Sequence, residues 1–308
     1  MPAAVAKVAR PGLWKEYLVN FSFTAPAILV FSIFYIYPFF DIFKLSLQGW
    51  DGIAPVRYWV GLENFKELAS DKVWWQAMWH AFYITLLALT LQNFLAFALA
   101  LACDRDMKMK DFYRVVFFIP PVLSQVVVGL IWRWIFDAEK QAGQHVGMLN
   151  YLLDKMGLYH LVNNWLSNPD TALTCIAVVH CWQGFGWGFI MLLAGLSTID
   201  RQLYEAARVD GAGSWKAFVH VTIPMMMPVL LVVVILTILG SMQAFILVLT
   251  MTGQGLEYYT EVPVTRILAA MTATKQYGYA CSMGVTFATI LVMISLLFRW
   301  MSNKVKQA

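Results

Sequence analysis

The chain has 308 residues, of which 60% are hydrophobic and only 13% charged, and its formal net charge is +4. Soluble domains carry about a quarter charged residues, so this composition excludes an ordinary soluble globular protein. Continuous apolar runs of about 20 residues, the length that crosses a bilayer, favour a helical membrane protein over a β-barrel with short alternating segments. The basic residues are scattered along the chain, so the sequence predicts no basic patch of the kind that binds nucleic acid.

Six apolar runs predict an all-α, polytopic protein with six transmembrane helices in a single membrane domain covering residues 1–308. The predicted spans are about 20–43, 79–102, 113–136, 171–196, 224–250 and 278–300. The first run follows Lys7, Arg10 and Lys15 and is too long for the apolar core of a cleaved signal peptide. We therefore expect it to remain as a signal anchor.

The distribution of basic residues predicts the orientation, because cytoplasmic loops are enriched in Lys and Arg. With a cytoplasmic N-terminus, 13 of the 22 basic residues fall on the inside, while the other nine lie on longer outside segments. The inside residues are Lys7, Arg10, Lys15, Arg105, Lys108, Lys110, Arg114, Arg201, Arg208, Lys216, Arg299, Lys304 and Lys306. Both termini are then cytoplasmic, and so is the polar loop (residues 197–223) between the fourth and fifth spans.

The polar loop predicts two short helices around a glycine turn. Ser197 or Thr198 is expected to cap the first helix, and Gly211 and Gly213 are expected to end it, because glycine accepts the positive φ of a sharp turn. Ser214 is expected to cap the second helix. Composition and spacing leave two interpretations open: a docking surface for a partner, or an amphipathic loop packed under its own bundle.

A motif in the polar loop carries a family resemblance. The pattern Glu205-Ala206-Ala207, Asp210-Gly211-Ala212, Trp215, Phe218 and Ile223-Pro224 resembles the EAA loop of bacterial ABC importer permeases. The stretches "VGLENFKEL", "YRVVFFIPPVL" and "NNWLSNPDTAL" are similar to the carbohydrate-uptake branch of that family, which includes the maltose and glycerol-phosphate permeases. The resemblance covers nearly the whole chain.

The resemblance implies a type I ABC importer permease fold, with the polar loop forming a cytoplasmic coupling helix seated in a cleft of an ATPase subunit. Glu205 would meet basic or donor groups of that ATPase, Gly211 would make the turn, and Ala206 and Ala207 would allow close packing. Asp210 belongs to the same coupling set. Trp215 and Phe218 are expected to be the apolar anchors of the second short helix.

The implied partners are a second, homologous permease subunit, two cytoplasmic ATPase subunits that carry ATP and Mg, and an extracytoplasmic solute-binding protein. The implied location is a prokaryotic inner or plasma membrane, in contact with lipid. The chain has no GxxxxGK[ST] phosphate loop, so ATP hydrolysis is expected on a separate chain. We expect no catalytic residues, no metal site and no cofactor in this subunit.

Polar residues inside spans are costly and are candidates for a substrate path. The candidates are Ser124, Gln125, His180, Gln183, Gly184, Thr237, Ser241 and Gln243, with Gln92 and Asn93 as further polar positions in the second span. Neutral amides and hydroxyls beside aromatic rings suit an uncharged, polyhydroxylated ligand. For any single residue, an interhelical hydrogen bond is the simpler interpretation. The resemblance places His180, Gln183 and Gly184 where the maltose permease lines its sugar site.

The expected function is therefore that of a permease subunit of an ATP-driven importer for a mono- or oligosaccharide or a polyol, working by alternating access. The alternative is an ion-coupled secondary carrier or a channel that acts without an ATPase. Such a protein is expected to show an internal repeat, buried titratable residues or broken helices, and no clear repeat or deeply placed carboxylate is evident. Arg133 could attract an anionic substrate, although an interfacial position is preferred.

Overall fold

The computed structural model describes residues 13–104, 109–141, 144–253 and 259–305. Lys7, Arg10, Arg105, Lys108 and Lys306, which entered the orientation argument, lie outside these ranges. The helices within them are α1 Leu13–Phe31, α2 Tyr37–Ser46, α3 Glu63–Ser70, α4 Lys72–Leu87, α5 Asn93–Asp104, α6 Lys110–Val122, α7 Gln125–Ile135, α8 Met148–Lys155, α9 Pro169–Ser197, α10 Arg201–Val209, α11 Ser214–Ala217, α12 Ile223–Met242, α13 Ile246–Thr252, α14 Pro263–Thr272 and α15 Tyr277–Val305.

Two very short hairpins accompany the helices. Strand β1 (Gln48–Gly49) pairs antiparallel with β2 (Tyr58–Trp59), and β3 (Lys140–Gln141) pairs antiparallel with β4 (Gln144–His145). The protein is therefore mostly helical. Among the described residues, five helical segments are long and apolar enough to cross a membrane, or six if the bent pair α6–α7 is one span.

Three of the apolar segments contain one π-helical turn each. The turns are Ser32–Ile36, Ala88–Gln92 and Phe218–Thr222. A π turn adds a residue to the local helical repeat and re-aims the side chains around it. The turns join α1 to α2, α4 to α5 and α11 to α12, so each pair runs on as a single apolar segment.

The third predicted span, 113–136, is not one helix. Helices α6 and α7 meet at an angle of 92°. Pro120 and Pro121 have no backbone N–H, so they weaken the helical hydrogen bonding at this point. Leu123 and Ser124 then adopt extended backbone, with ψ of 141° and 132°. The prediction of a continuous helix was wrong because it weighed the apolar composition above the two prolines.

The fifth predicted span, 224–250, also differs from the structure at both ends. The apolar helical segment begins earlier, at Ser214, because α11 and the π turn run directly into α12. It ends earlier as well, at Met242, and α13 follows as a separate helix. Gln243 leaves helical geometry with φ −95° and ψ 10°.

Helix α9 is the central helix of the bundle and packs against α4, α5, α6, α12 and α13. Its start is fixed by Asn168, whose side chain accepts a hydrogen bond from the Asp170 N–H at 3.0 Å, and by Pro169 in the first turn. Glycines on α9 let neighbours approach closely. A Cβ at Gly186 would collide with the backbone carbonyl oxygen of Phe117 in α6.

A buried polar cluster joins the starts of α4 and α15 to α14. The Asp71 side chain caps α4 by accepting hydrogen bonds from two backbone N–H groups in the first turn of that helix. It also accepts a hydrogen bond of 2.8 Å from the Tyr279 hydroxyl. Arg266 Nη2 lies 3.7 Å from the same carboxylate. Burial raises the pKa of Glu261, which precedes α14, while Arg266 opposes that rise. The cluster holds the start of α14 against α4 and α15.

Candidate functional site

The loop between α9 and α12 contains the two short helices that its sequence predicts, but the caps differ. Asp200, not Ser197 or Thr198, caps α10, and its carboxylate accepts the Gln202 N–H at 2.9 Å. The Ser197 and Thr198 hydroxyls instead donate to carbonyls in the last turn of α9. Ser214 is the first residue of α11 and makes no capping bond, because Gly213 holds the cap position.

Gly211 makes the turn between α10 and α11. Its φ is +75°, a left-handed conformation that glycine adopts without strain. The Gly211 N–H donates to the Arg208 carbonyl at 3.0 Å, and the Ala212 N–H donates to the Ala207 carbonyl at 2.8 Å. This pair of bonds closes the end of α10 in the Schellman pattern. Gly213 has φ −71° and does not require glycine for its conformation.

The polar loop projects from the bundle. Within the described chain, no residue of α10 or α11 is buried. Within the predicted coupling set, the exposed residues are Glu205, Ala206, Asp210 and Gly211. Ala207 is half-buried. Val209 and Trp215 are 87% and 74% exposed, so Trp215 is not the anchor that its sequence position predicts. Phe218 is packed, with its ring centroid 6.1 Å from that of Phe97.

The break between α6 and α7 opens a small pocket of about 110 Å³ against the middle of α9, which we call the central pocket. Its walls combine apolar groups, amides, an imidazole and an indole: Pro121, Leu123, Gln125, His180, Gln183, Gly184 and Trp187. None of these described lining residues carries a carboxylate, an ammonium or a guanidinium group. The pocket is therefore suited to a neutral polar ligand.

Two side chains of the central pocket already have protein partners. Gln183 Nε2 donates to the Leu123 carbonyl at 3.0 Å, and His180 Nε2 lies 3.1 Å from the Ser241 hydroxyl. A helix break inside a membrane leaves backbone groups that need partners. Gln183 provides one, so it has a structural role in this conformation whatever else it binds.

The other predicted path residues lie at the edge of the central pocket or outside it. Ser124 precedes α7 and makes no side-chain cap bond. Thr237 donates its hydroxyl to Asn93 Oδ1 at 3.0 Å and does not line the pocket. Gln243 is exposed beyond the end of α12. The structure thus places Gln125 in the central pocket together with His180, Gln183 and Gly184 of α9. Ser241 is connected to the pocket only by its contact with His180.

Sequence reasoning missed three lining residues of the central pocket: Pro121, Leu123 and Trp187. Trp187 follows Gln183 by four residues and so shares its helix face, a signal that could have identified it.

Gly184 has a separate role, because a Cβ there would meet the carboxamide of Gln92 at 2.6 Å. Gln92 is buried, and its Oε1 has no hydrogen-bond partner among the described residues.

A second cavity, of about 700 Å³, lies where α7 ends and α9 begins, and we call it the distal cavity. Its polar and charged lining residues are Arg133, Asp137, Glu139, Asn164, Ser167 and Thr252. Helix α9 has 29 residues, or roughly 44 Å at 1.5 Å per residue. Because α10 follows the other end of α9, the distal cavity and the polar loop lie at opposite ends of the bundle.

Several membrane-length helices, with a bent helix pair beside an uncharged pocket, define a multi-pass membrane protein. Residues 93–307 match the family described as "binding-protein-dependent transport system inner membrane component". The chain belongs to that family.

Named relatives agree with this family. The chain is 32% identical over 289 residues to the probable ABC transporter permease protein YurN of Bacillus subtilis (strain 168), covering 93% of this chain and 95% of YurN. It is 29% identical over 279 residues to the sulfoquinovosyl glycerol transport system permease protein SmoG of Agrobacterium fabrum, covering 89% and 87%.

A chain of a bacterial ABC transporter involved in the import of the acidic polysaccharide alginate has the same fold. Its TM-score is 0.79 at 22% identity, with 95% of this chain and 98% of that chain covered.

Proposed function

We propose that this chain is one of two permease subunits of an ATP-driven importer that moves a mono- or oligosaccharide or a polyol into the cytoplasm by alternating access. In this proposal α6 and α7 form one broken span, so the chain crosses the inner membrane six times. Both termini and the polar loop are cytoplasmic. Relatives named as permeases for sulfoquinovosyl glycerol, arabinooligosaccharides and lactose support the carbohydrate class.

The observation that carries the proposal is the projecting polar loop at one end of α9. Helix α10 follows α9 directly, and the hydroxyl groups of Tyr204 and Thr222, 2.9 Å apart, fasten it to the start of α12. A displacement of the loop is therefore transmitted to α9 and α12. Helix α9 supplies His180 to the central pocket, and α12 supplies Ser241, whose hydroxyl lies 3.1 Å from His180 Nε2. The loop is thus connected mechanically to the pocket.

The surface of the polar loop suits a protein partner. Val209 and Trp215 expose large apolar side chains that would be buried in a cleft of an ATPase subunit, which favours association. Glu205 and Asp210 would pair with basic groups there. ATP and Mg would bind to the two ATPase subunits, and their closure would pull the two permease loops together and turn the spans outward. Hydrolysis would then return the complex to the inward-facing state.

The central pocket would hold the sugar midway across the membrane. Its volume of about 110 Å³ is below the roughly 300–1,000 Å³ of typical ligand sites. We therefore propose that the second permease subunit completes the walls around Trp187, whose side chain is 58% exposed. Amide and imidazole groups would bind sugar hydroxyls, and the indole would cover an apolar face of a sugar ring. A solute-binding protein would deliver the sugar from the outside.

The substitution Glu205→Lys tests the coupling role. It reverses the charge of an exposed side chain, so the chain should fold, but ATP-dependent uptake into proteoliposomes should fall at least tenfold because the ATPase contact is lost. Glu67→Lys in α3, also exposed and far from the loop, is the matched control and should transport normally. Normal uptake by the Glu205→Lys transporter would remove the polar loop from ATPase coupling.

A further inference from the structure

We propose that the distal cavity is a receiving site, which holds a neutral saccharide after its release from the solute-binding protein and before it reaches the central pocket. The proposal rests on the proposed function, carbohydrate import, and it assigns a second ligand site to the chain. It follows from the position of the cavity, from its unpaired polar groups and from its charges.

The position of the distal cavity links it to the central pocket through α7. Gln125, the first residue of α7, lines the central pocket, whereas Arg133 and Trp134 near its end line the distal cavity. Eight residues of helix separate these positions, which is about 12 Å. One short helix therefore contributes residues to both spaces, and in this proposal a sugar that leaves the distal cavity passes α7 to reach the central pocket.

The distal cavity has the size and the groups of a saccharide site. Its volume of about 700 Å³ lies within the roughly 300–1,000 Å³ range of ligand sites. The Trp134 indole is 52% exposed and offers an apolar face to a sugar ring. Among the described residues, the side chains of Arg133, Asn164 and Ser167 have no hydrogen-bond or ion-pair partner, so their polar groups are free to bind hydroxyl groups.

The charges of the distal cavity favour a neutral ligand over an acidic one. Asp137 and Glu139 contribute two carboxylates, and Arg133 contributes one guanidinium group. An anionic sugar would therefore meet a net negative lining, and like charges brought together oppose binding. Hydroxyl groups of a neutral sugar can donate to the carboxylates and accept from the guanidinium, so all three groups can be used.

The test measures how many sugars are imported for each ATP hydrolysed. The transporter with all its subunits is reconstituted in liposomes with its solute-binding protein. Radiolabelled maltose, maltotriose and raffinose serve as neutral probes, and trigalacturonate serves as the acidic probe. Trp134→Ala should lower the sugar-to-ATP ratio about fivefold, with ATP hydrolysis within twofold of normal, because released sugar is no longer held. Ser167→Ala should lower it about twofold.

The control for Trp134→Ala is Trp79→Ala, which removes a 61%-exposed indole of α4 outside both cavities and should leave the ratio unchanged. An unchanged ratio in Trp134→Ala would overturn the receiving site, while the proposed function stands if Glu205→Lys still lowers uptake at least tenfold. Weaker binding of the solute-binding protein to Trp134→Ala would make the cavity a protein contact and also overturn it. Preferential import of trigalacturonate would contradict the neutral class.

Discussion

The first apolar segment, Tyr17–Ser46, and the central helix α9 show that hydropathy and burial are separate properties in this protein. The first segment has the higher mean hydropathy, yet no residue in its most apolar 18-residue stretch is buried, whereas 61% of the residues in the corresponding stretch of α9 are buried. Apolar side chains in a membrane gain little by leaving lipid for protein. Close packing and polar pairs therefore decide which helix lies in the centre.

The side chains of the two segments account for the difference. The first segment is rich in large aromatic residues that contact one another within their own helix, as Phe39 and Phe43 do edge to face with ring centroids 5.1 Å apart. Helix α9 instead carries glycines at contact points and polar groups that bond to other helices. Gly186 meets α6, and His180 meets α12.

The largest effect is expected where α9 packs backbone to backbone. Gly186→Ala places a Cβ against the Phe117 carbonyl oxygen and should destabilise the protein by about 1–3 kcal/mol, because neither backbone can move freely. Gly240→Ala is the matched control, since no atom lies within 4 Å of the added Cβ. It should be neutral or stabilising by up to about 1 kcal/mol. Thermal unfolding in one detergent compares them, and equal melting temperatures would contradict the packing argument.

An intermediate effect is expected at the helix break. Gln183→Leu removes the donor to the Leu123 carbonyl and should lower stability by about 1 kcal/mol in addition to altering sugar affinity. Gln125→Leu, at a pocket residue with no side-chain hydrogen bond among the described residues, should alter uptake with little change in melting temperature. If the two variants have the same melting temperature, the hydrogen bond from Gln183 to the Leu123 carbonyl contributes nothing measurable to stability.

The smallest effect is expected in the first apolar segment. Phe23 is 81% exposed, so Phe23→Leu should change the stability of the isolated chain by no more than about 0.5 kcal/mol. Phe189→Leu, the same change at a fully buried ring of α9, should cost about 1 kcal/mol. A cost for Phe23→Leu as large as that for Phe189→Leu would remove the contrast between the two helices.

The sequence predicted the parts of the structure that depend on neighbouring residues. Long apolar runs located the membrane-length helices, and Gly211 identified the turn of the polar loop because one residue decides it. The cap of α10 was missed because Ser197, Thr198 and Asp200 are all good caps. Helix α9 runs as far as Ser197 and is closed by Thr198, so Asp200 is the residue that directly precedes α10.

Features that depend on distant residues could not be predicted in this way. The distal cavity combines Arg133, Asn164 and Thr252 from three separate segments, and nothing in their local sequence brings them together. The bond from Gln183 to the Leu123 carbonyl also required the break in α6–α7, which the apolar composition of 113–136 concealed. Helix packing in three dimensions creates both.

The most direct test of the central claim is gentle detergent purification of the tagged chain, with mass spectrometry of the proteins that accompany it and transport assays in liposomes. We expect a second permease of similar size and a P-loop ATPase to co-purify, and uptake to require ATP. A single chain that transports in liposomes without ATP or partner subunits would contradict the account.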